Sequence, residues 1–404
     1  MRSCLLFSML LLLATPAFAQ GDTQPSGTSP DGDKKPVEPF SNFEVGGLAD
    51  GEYLPLTLGR DRTGLGFRSR LSFGWDSNVF KLDRNDDSAL FGDAIGEGWV
   101  GANFGVIALG ARAKVAGRLH FGEPDANQWD MKLGGFVKMP YGGGGFGFGL
   151  SADVLYQQLQ TYELAGPITR QDDLRASGGI ARAYIGYAVS FVIFELGVHG
   201  QTTDFSEESR IPSYDNWDIG ADFSVYINAW DTVELRPYVD FSYEWFRDQT
   251  DLQDDGTLLN QQDDLQLLKF GYGVDWRIDL GLIEAEGRAY AMRQDDSAAG
   301  FNRYWQHGIR GAIDFNFYDP LRITAGAHFW TREYDDRVDF DSLDLGTTTK
   351  TTFERFAQIY AEVSYNVWGP LYLGGRYSYT RRISDVNNGG YAVHQAAIFL
   401  ELGF

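Results

Sequence analysis

Gln395-Ala-Ala-Ile-Phe-Leu-Glu-Leu-Gly-Phe404, the last ten residues of the chain, place Ala396, Ile398, Leu400, Leu402 and Phe404 on one face of a strand. Side chains alternate across a strand, so this segment needs lipid or a sheet partner along its apolar face. The same period of two recurs upstream, most fully in Val233-Glu-Leu-Arg-Pro-Tyr-Val-Asp-Phe-Ser-Tyr-Glu-Trp245. There Val233, Leu235, Pro237, Val239, Phe241, Tyr243 and Trp245 share a face. Glu234, Arg236, Tyr238, Asp240, Ser242 and Glu244 share the other, since an Arg or Lys facing lipid near mid-membrane costs on the order of 2–4 kcal/mol. Pro237 donates no ladder hydrogen bond, and a bulge is expected at it. The split recurs in Trp217 to Ile227, Leu268 to Ile278, Phe353 to Tyr365 and Leu371 to Tyr379.

From Gly66 onward the pattern repeats in units of about 21 residues, each a strand, a short turn, a strand and a longer polar loop. Short connections fall near Gly110, at Gly142 to Gly145, Val189-Ser190, Ala229 to Asp231, Asp279 to Gly281, Tyr318 to Pro320 and Trp368 to Pro370. Asp-rich connections lie between them, including Lys81 to Glu97, Thr161 to Asp173, Thr250 to Asp263 and Asp335 to Thr349. Trp230, Tyr318 and Trp368 sit at the short turns, where an interfacial aromatic girdle belongs. The fold class expected is all-β, a transmembrane up-and-down antiparallel β-barrel of the bacterial outer membrane with about sixteen strands, in the range of roughly 14–18. An even count with short periplasmic turns puts both termini in the periplasm. A soluble β-sandwich or propeller also alternates, but joins none of the other features of this chain.

Composition agrees. The 404 residues hold 49 glycines and 15% aromatics, mean hydropathy is −0.28, and after the N-terminus no apolar run approaches the length of a spanning helix. A chain that crosses lipid without helices must close its sheet, because open edges leave backbone groups unsatisfied. Met1-Arg2, the apolar run Leu10 to Leu13 and Ala17-Phe18-Ala19 read as a signal peptide over residues 1–19. Gln20 stands where a lipoprotein would carry cysteine, and the single cysteine, Cys4, leaves with the signal. Residues 20–63 read as a flexible periplasmic tail, in which Glu52 to Leu58 is a candidate extra strand, and the barrel is expected over residues 64–404. A net charge of −22 argues against a nucleic-acid partner.

The terminal strand, with Leu400, Leu402 and Phe404, resembles the signal by which the barrel assembly machinery recognises its substrates, and so implies that machinery as a partner. On the inward register, Arg68, Arg70, Arg112, Lys114, Arg118, Lys132, Lys138 and Arg182 fall on roughly the first six strands. Asp218, Asp222, Glu234, Asp240 and Glu244 fall on the eighth and ninth. Neighbours in sequence stay neighbours in an up-and-down barrel, so this order implies a basic wall facing an acidic one and a transverse field across the lumen. Local pairing of the same charges within a wet interior is the alternative, and Asp130, Asp153, Glu195 and Arg236 favour it.

Loop pairs such as Asp86-Asp87, Asp254-Asp255 and Asp335-Asp336 are solvated tips, or sites for divalent ions that bridge to lipopolysaccharide. Asp83-x-Asn85-x-Asp87 opens like a calcium loop, but Ser88 replaces the turn glycine and Ala94 the bidentate Glu. The five histidines, His120, His199, His307, His328 and His394, have no metal-ligand spacing, and no enzymatic motif surrounds them. No enzyme, metal or cofactor is expected.

Phe73-Gly-Trp-Asp-Ser-Asn-Val-Phe80 resembles the aromatic-Asp-Ser-Asn-Val/Ile-Phe signature of the β-barrel porin type 2 family, whose members occur with exopolysaccharide and capsule export systems. Asp76, Ser77 and Asn78 are also ordinary turn formers that would cap the rim of the first strand. The resemblance implies a conduit for a secreted polysaccharide, fed by a periplasmic export protein. Inward Tyr184, Tyr226, Tyr238, Tyr290, Tyr360 and Tyr372 offer a sliding surface for sugar rings. A passive diffusion porin is the first alternative, although no loop exceeds about 18 residues to fold into the pore. A lipoprotein translocator or structural anchor is the second. The other partners expected are outer-membrane lipids and lipopolysaccharide.

Overall fold

The computed structural model describes residues 64–79, 88–123, 127–139, 145–160, 173–205, 215–229, 232–250, 264–296, 303–318, 320–335, 353–384 and 390–403. The expected signal, tail and Glu52–Leu58 strand lie outside these residues, as do Trp230, Phe404 and most of the Asp-rich loops. Sixteen strands follow one another: β1 (Gly64–Asp76), β2 (Ala89–Asn103), β3 (Ala108–Phe121), β4 (Gln128–Met139), β5 (Phe146–Gln160), β6 (Asp173–Val189), β7 (Val192–Phe205) and β8 (Asn216–Ala229). The second half comprises β9 (Val233–Thr250), β10 (Asp264–Asp279), β11 (Ile283–Asp296), β12 (Tyr304–Tyr318), β13 (Leu321–Tyr334), β14 (Phe353–Trp368), β15 (Leu371–Ser384) and β16 (Tyr391–Gly403). Each strand pairs antiparallel with its chain neighbours, and β1 pairs with β16, closing the barrel.

Burial is inverted relative to a water-soluble protein. Val154, Ile185 and Ile398 are more than 60% exposed, whereas Arg70, Asp153, Asp240 and Arg288 are buried. An exterior of bare aliphatic and aromatic side chains, with the charges inside, is stable only against lipid. This is an integral outer-membrane barrel fold. In β9 the faces fall as the alternation dictates, with Leu235, Val239 and Phe241 outward and exposed and Tyr238, Asp240 and Ser242 buried on the inner side. Pro237 makes no bulge. The β8–β9 ladder skips the pairs beside it yet keeps its register from Ser224↔Tyr238 to Ile227↔Leu235, because the missing N–H removes a bond without adding a residue.

Two boundaries differ from the sequence expectation. The stretch Ala89 to Glu97, expected as part of a loop, is the first part of β2. Its outward positions Gly92, Ala94, Gly96 and Gly98 are too small to register as an apolar face, and cross-strand pairing carries the strand instead. The turn expected near Gly110 lies at residues 104–107, and Gly110 sits inside β3. Of the expected girdle, Trp368 is 77% exposed at a short turn. A second belt follows the long-loop end, where Trp75 and Trp217 are outward and exposed and Trp217 stacks on Trp245 at 6.2 Å.

Following paired residues around all sixteen strands returns to β1 about 20 residues nearer the long-loop end, a stagger that sets a strand tilt of roughly 43° and a Cα diameter of roughly 31 Å. A row of paired residues therefore climbs toward the long-loop end as strand number increases. The β1–β16 seam has the shortest ladder, nine register pairs from Arg68↔Gly403 to Asp76↔Gln395. Both ends of the described barrel, Gly64 and Gly403, lie at the short-turn end.

Candidate functional site

The lumen wall is built from a recurring unit in which a ring lies flat over a glycine of a neighbouring strand and a guanidinium covers the ring. A Cβ on Gly374 would overlap Phe399, and one on Gly74, Gly149, Gly273 or Gly326 would meet Phe91, Tyr184, Tyr238 or Tyr360. Over these rings stand Arg70 on Phe399 at 3.9 Å and Arg118 on Phe91 at 4.2 Å. Arg182 on Tyr184, Arg288 on Tyr238 and Arg376 on Tyr360 follow at 5.1–5.2 Å. Stacking leaves the in-plane N–H groups of arginine free to bond carboxylates bidentately.

Those bonds join strands. Arg118 donates to both oxygens of Asp93 at 2.7 and 2.9 Å, and Arg112 reaches Asp153 across β4 at 2.6 Å. Lys132 approaches the same carboxylate at 3.5 Å. Arg182 donates to Glu195 and to Asp222, each at 2.7 Å. Arg288 chelates Asp275. Arg70 spans furthest, from β1 over β16 to Glu401 at 2.9 Å and across β15 to both oxygens of Glu362 at 2.8 Å. Arg68 adds a 2.9 Å bond to Glu401.

All the residues expected on the basic and acidic walls lie on the inward register. Lys114 stands between Glu97 and Lys132 in register, and Lys138 lies over the Phe136 ring at 5.3 Å. Lys269 ties Glu244 at 2.5 Å and Asp218 at 3.4 Å, Glu234 opposes Arg277, and Asp240 lies 4.0 Å from His199. Arg182 bonded to Asp222 joins a residue of one expected wall directly to the other. Strands β10–β16, which carry none of the expected wall residues, set eight inward cations (Lys269, Arg277, Arg288, Arg310, Arg322, Arg332, Arg376, Arg382) against nine anions (Asp275, Asp279, Glu284, Glu286, Asp296, Asp314, Glu354, Glu362, Glu401). The lumen wall is thus a lattice of compensated charges, although the whole chain carries −22.

His199, Asp222 and Asp240 are buried with ligand atoms within 4.8 Å of one another, and among the described residues they alone form a group with a metal-ligand composition. Arg182 engages both oxygens of Asp222, supplying a cation to that group already. Tyr184, Tyr226, Tyr238, Tyr290, Tyr360 and Tyr372 all face inward. Tyr184, Tyr238 and Tyr360 are sandwiched between glycine and guanidinium, so the lumen meets guanidinium groups there before it meets ring faces.

The rim motif lies on the seam. Ser77 N–H donates to the His394 carbonyl at 2.9 Å, and His394 N–H donates to Ser77 Oγ at 2.8 Å. Gln395 Nε2 donates to Asp76 Oδ2 at 2.7 Å, while Asp76 Oδ1 accepts the Asn78 N–H at 2.9 Å. These bonds extend the shortest ladder of the barrel past its last register pair. Leu400 is outward and exposed on β16, with Leu402 half-buried beside it.

The sequence matches no family profile and no curated protein. Among solved structures it is similar to OmpT of Vibrio cholerae, with 10% identity over 86% of this chain and 100% of that one and a TM-score of 0.42. A BenF-like porin from Pseudomonas fluorescens Pf-5 has 13% identity, coverage of 84% and 98%, and a TM-score of 0.38. A bacterial polysaccharide outer membrane secretin has 10% identity, coverage of 84% and 98%, and a TM-score of 0.41. Likeness at this level assigns no function.

Proposed function

We propose that this barrel is an outer-membrane conduit for a neutral or weakly charged polysaccharide, with its long loops outside and its termini in the periplasm. The observation that carries the proposal is the compensated lumen wall. Fixed charges of one sign would select ions, whereas arginine and carboxylate held in mutual pairs present dense donors and acceptors with little net field. A polyhydroxylated chain exchanges hydrogen bonds with such a wall at any point along its length without displacing a counterion. The Asp76-Ser77-Asn78 resemblance points to the same cargo.

Deleting the gene in the native host, with a complemented control, tests this. The expected result is loss of surface polysaccharide with accumulation in the envelope. Normal surface polysaccharide together with measurable conductance of the purified protein for small solutes would overturn export and leave a diffusion porin.

A further inference from the structure

Among the described residues, two arginines stand on the outer face without an ion pair. Arg355 of β14 and Arg381 of β15 point outward and are exposed among Phe353, Ala357, Ile359 and Ile383. They are diagonal neighbours, since Arg355 opposes Ile383 and Arg381 opposes Ala357. Among the described residues neither forms an ion pair. The nearest outward carboxylate in register, Glu333, opposes Phe353 and pairs with neither. A lone cation on a lipid-facing surface is costly unless an anion meets it there.

Their height identifies where that anion would be. Ten residue steps separate Arg355 from Tyr365 on the same outward face, about 33 Å along the strand and roughly 24 Å along the axis at the barrel tilt. That distance matches the apolar band of such barrels, about 25 Å tall. Both arginines therefore sit at the band's long-loop edge, level with the headgroups of one leaflet.

A groove of about 1240 Å³ begins at these arginines and runs across the outer face to β10. Its floor is low because the middle of β11 presents Ala285, Gly287, Ala289 and Ala291 outward. Two adjacent rows of paired residues define its course, one from Arg355 through Thr331, His307 and Ala291 to Tyr272, the other from Arg381 through Ala357, Phe329, Ile309 and Ala289 to Val274. Such rows climb with strand number, so the groove descends from the arginines. Over five strand intervals, roughly 24 Å, the descent is about 16 Å, half the thickness of a bilayer core.

We propose that this surface binds one molecule of a phosphorylated, multiply acylated glycolipid of the outer leaflet, the lipid A part of lipopolysaccharide. Its phosphates bridge Arg355 and Arg381, and one acyl chain lies in the groove over β11. The two charges select phosphate, and the oblique apolar groove of leaflet depth selects the attached chain over a soluble anion.

The test uses the folded full-length protein in detergent, with binding read by native mass spectrometry against diphosphoryl lipid A, its dephosphorylated form, phosphatidylglycerol and inorganic phosphate. Arg355→Gln with Arg381→Gln should weaken diphosphoryl lipid A binding at least tenfold, and Ala289→Phe, which fills the groove at unchanged charge, should do the same. Both variants should keep the wild-type heat-dependent electrophoretic mobility, and the double glutamine variant should fold at least as well as wild type in vesicles of phospholipid alone. Equal retention of lipid A by all three proteins would overturn the site. So would displacement by inorganic phosphate, binding of the dephosphorylated form as tight as that of the phosphorylated one, or preference for phosphatidylglycerol.

Discussion

Arg70 should hold the seam closed. It is 3% exposed and makes four hydrogen bonds to two carboxylates on the far side of the closure, Glu401 on β16 and Glu362 on β14. Replacing it with methionine keeps most of the packing against Phe399 but leaves both carboxylates short of a cation. Breaking a buried pair from one side typically costs 3–5 kcal/mol. Arg68 still serves Glu401 at 2.9 Å and Arg376 stands opposite Glu362, so the expected loss is near the lower end, about 3 kcal/mol. Equilibrium unfolding in urea from lipid vesicles, followed by tryptophan fluorescence, measures it. The triple variant Arg70→Met, Glu362→Gln, Glu401→Gln removes the stranded charges and should recover about half of that loss. A single variant that loses less than about 1 kcal/mol, or a triple variant no better than the single one, would refute the seam argument.

Gly326→Val should destabilise the barrel by about 1–3 kcal/mol, since its Cβ overlaps the Tyr360 ring, and Tyr360→Ala in the same chain should relieve part of that, as unfolding measurements would show. Arg112→Glu with Arg118→Glu sets new carboxylates beside Asp153 and Asp93, and the reversal potential of a conducting bilayer should move toward cation selectivity. Ser77→Ala with Asp76→Ala removes the seam's polar extension, and hydrogen exchange at His394 and Gln395 should accelerate at least tenfold while β9 is unchanged. At the long-loop end, Arg293 donates to Asp335 and holds its carboxyl below the usual range. A depressed carboxylate stabilises the fold above the unfolded pKa, so this tie should persist above about pH 4 and fade as pH falls below it. It is exposed and contributes at most about 1 kcal/mol, and Asp335→Asn at pH 7 should show the local protection factors that the wild type shows at pH 3.

Strand alternation made the barrel and the facing of its charges legible, because a period of two needs no knowledge of the neighbouring strand. It failed at β2, where Gly92, Ala94, Gly96 and Gly98 supply an outward face with no apolar bulk to read. Pairing was out of reach for a different reason. Arg70 and Glu362 are 292 residues apart, and they meet only because β1 closes on β16 in one register. The glycine beneath each ring is likewise invisible without that register. Arg355 and Arg381 were legible, since each breaks the apolar alternation of its own strand, and the regularity around them hid the exception.

The glycines under the rings also set the calibre of the channel. Strand number and stagger together fix a barrel's circumference, so a slip of two residues at any strand pair would change its bore. Tyr290 lies over Gly308, and a two-residue slip would drive it against Gln306 or Arg310, just as Tyr360 would meet Thr324 or His328 in place of Gly326. Each ring and its glycine act as a gauge that accepts one register, and a chain evolving a wider or narrower opening would have to change them together.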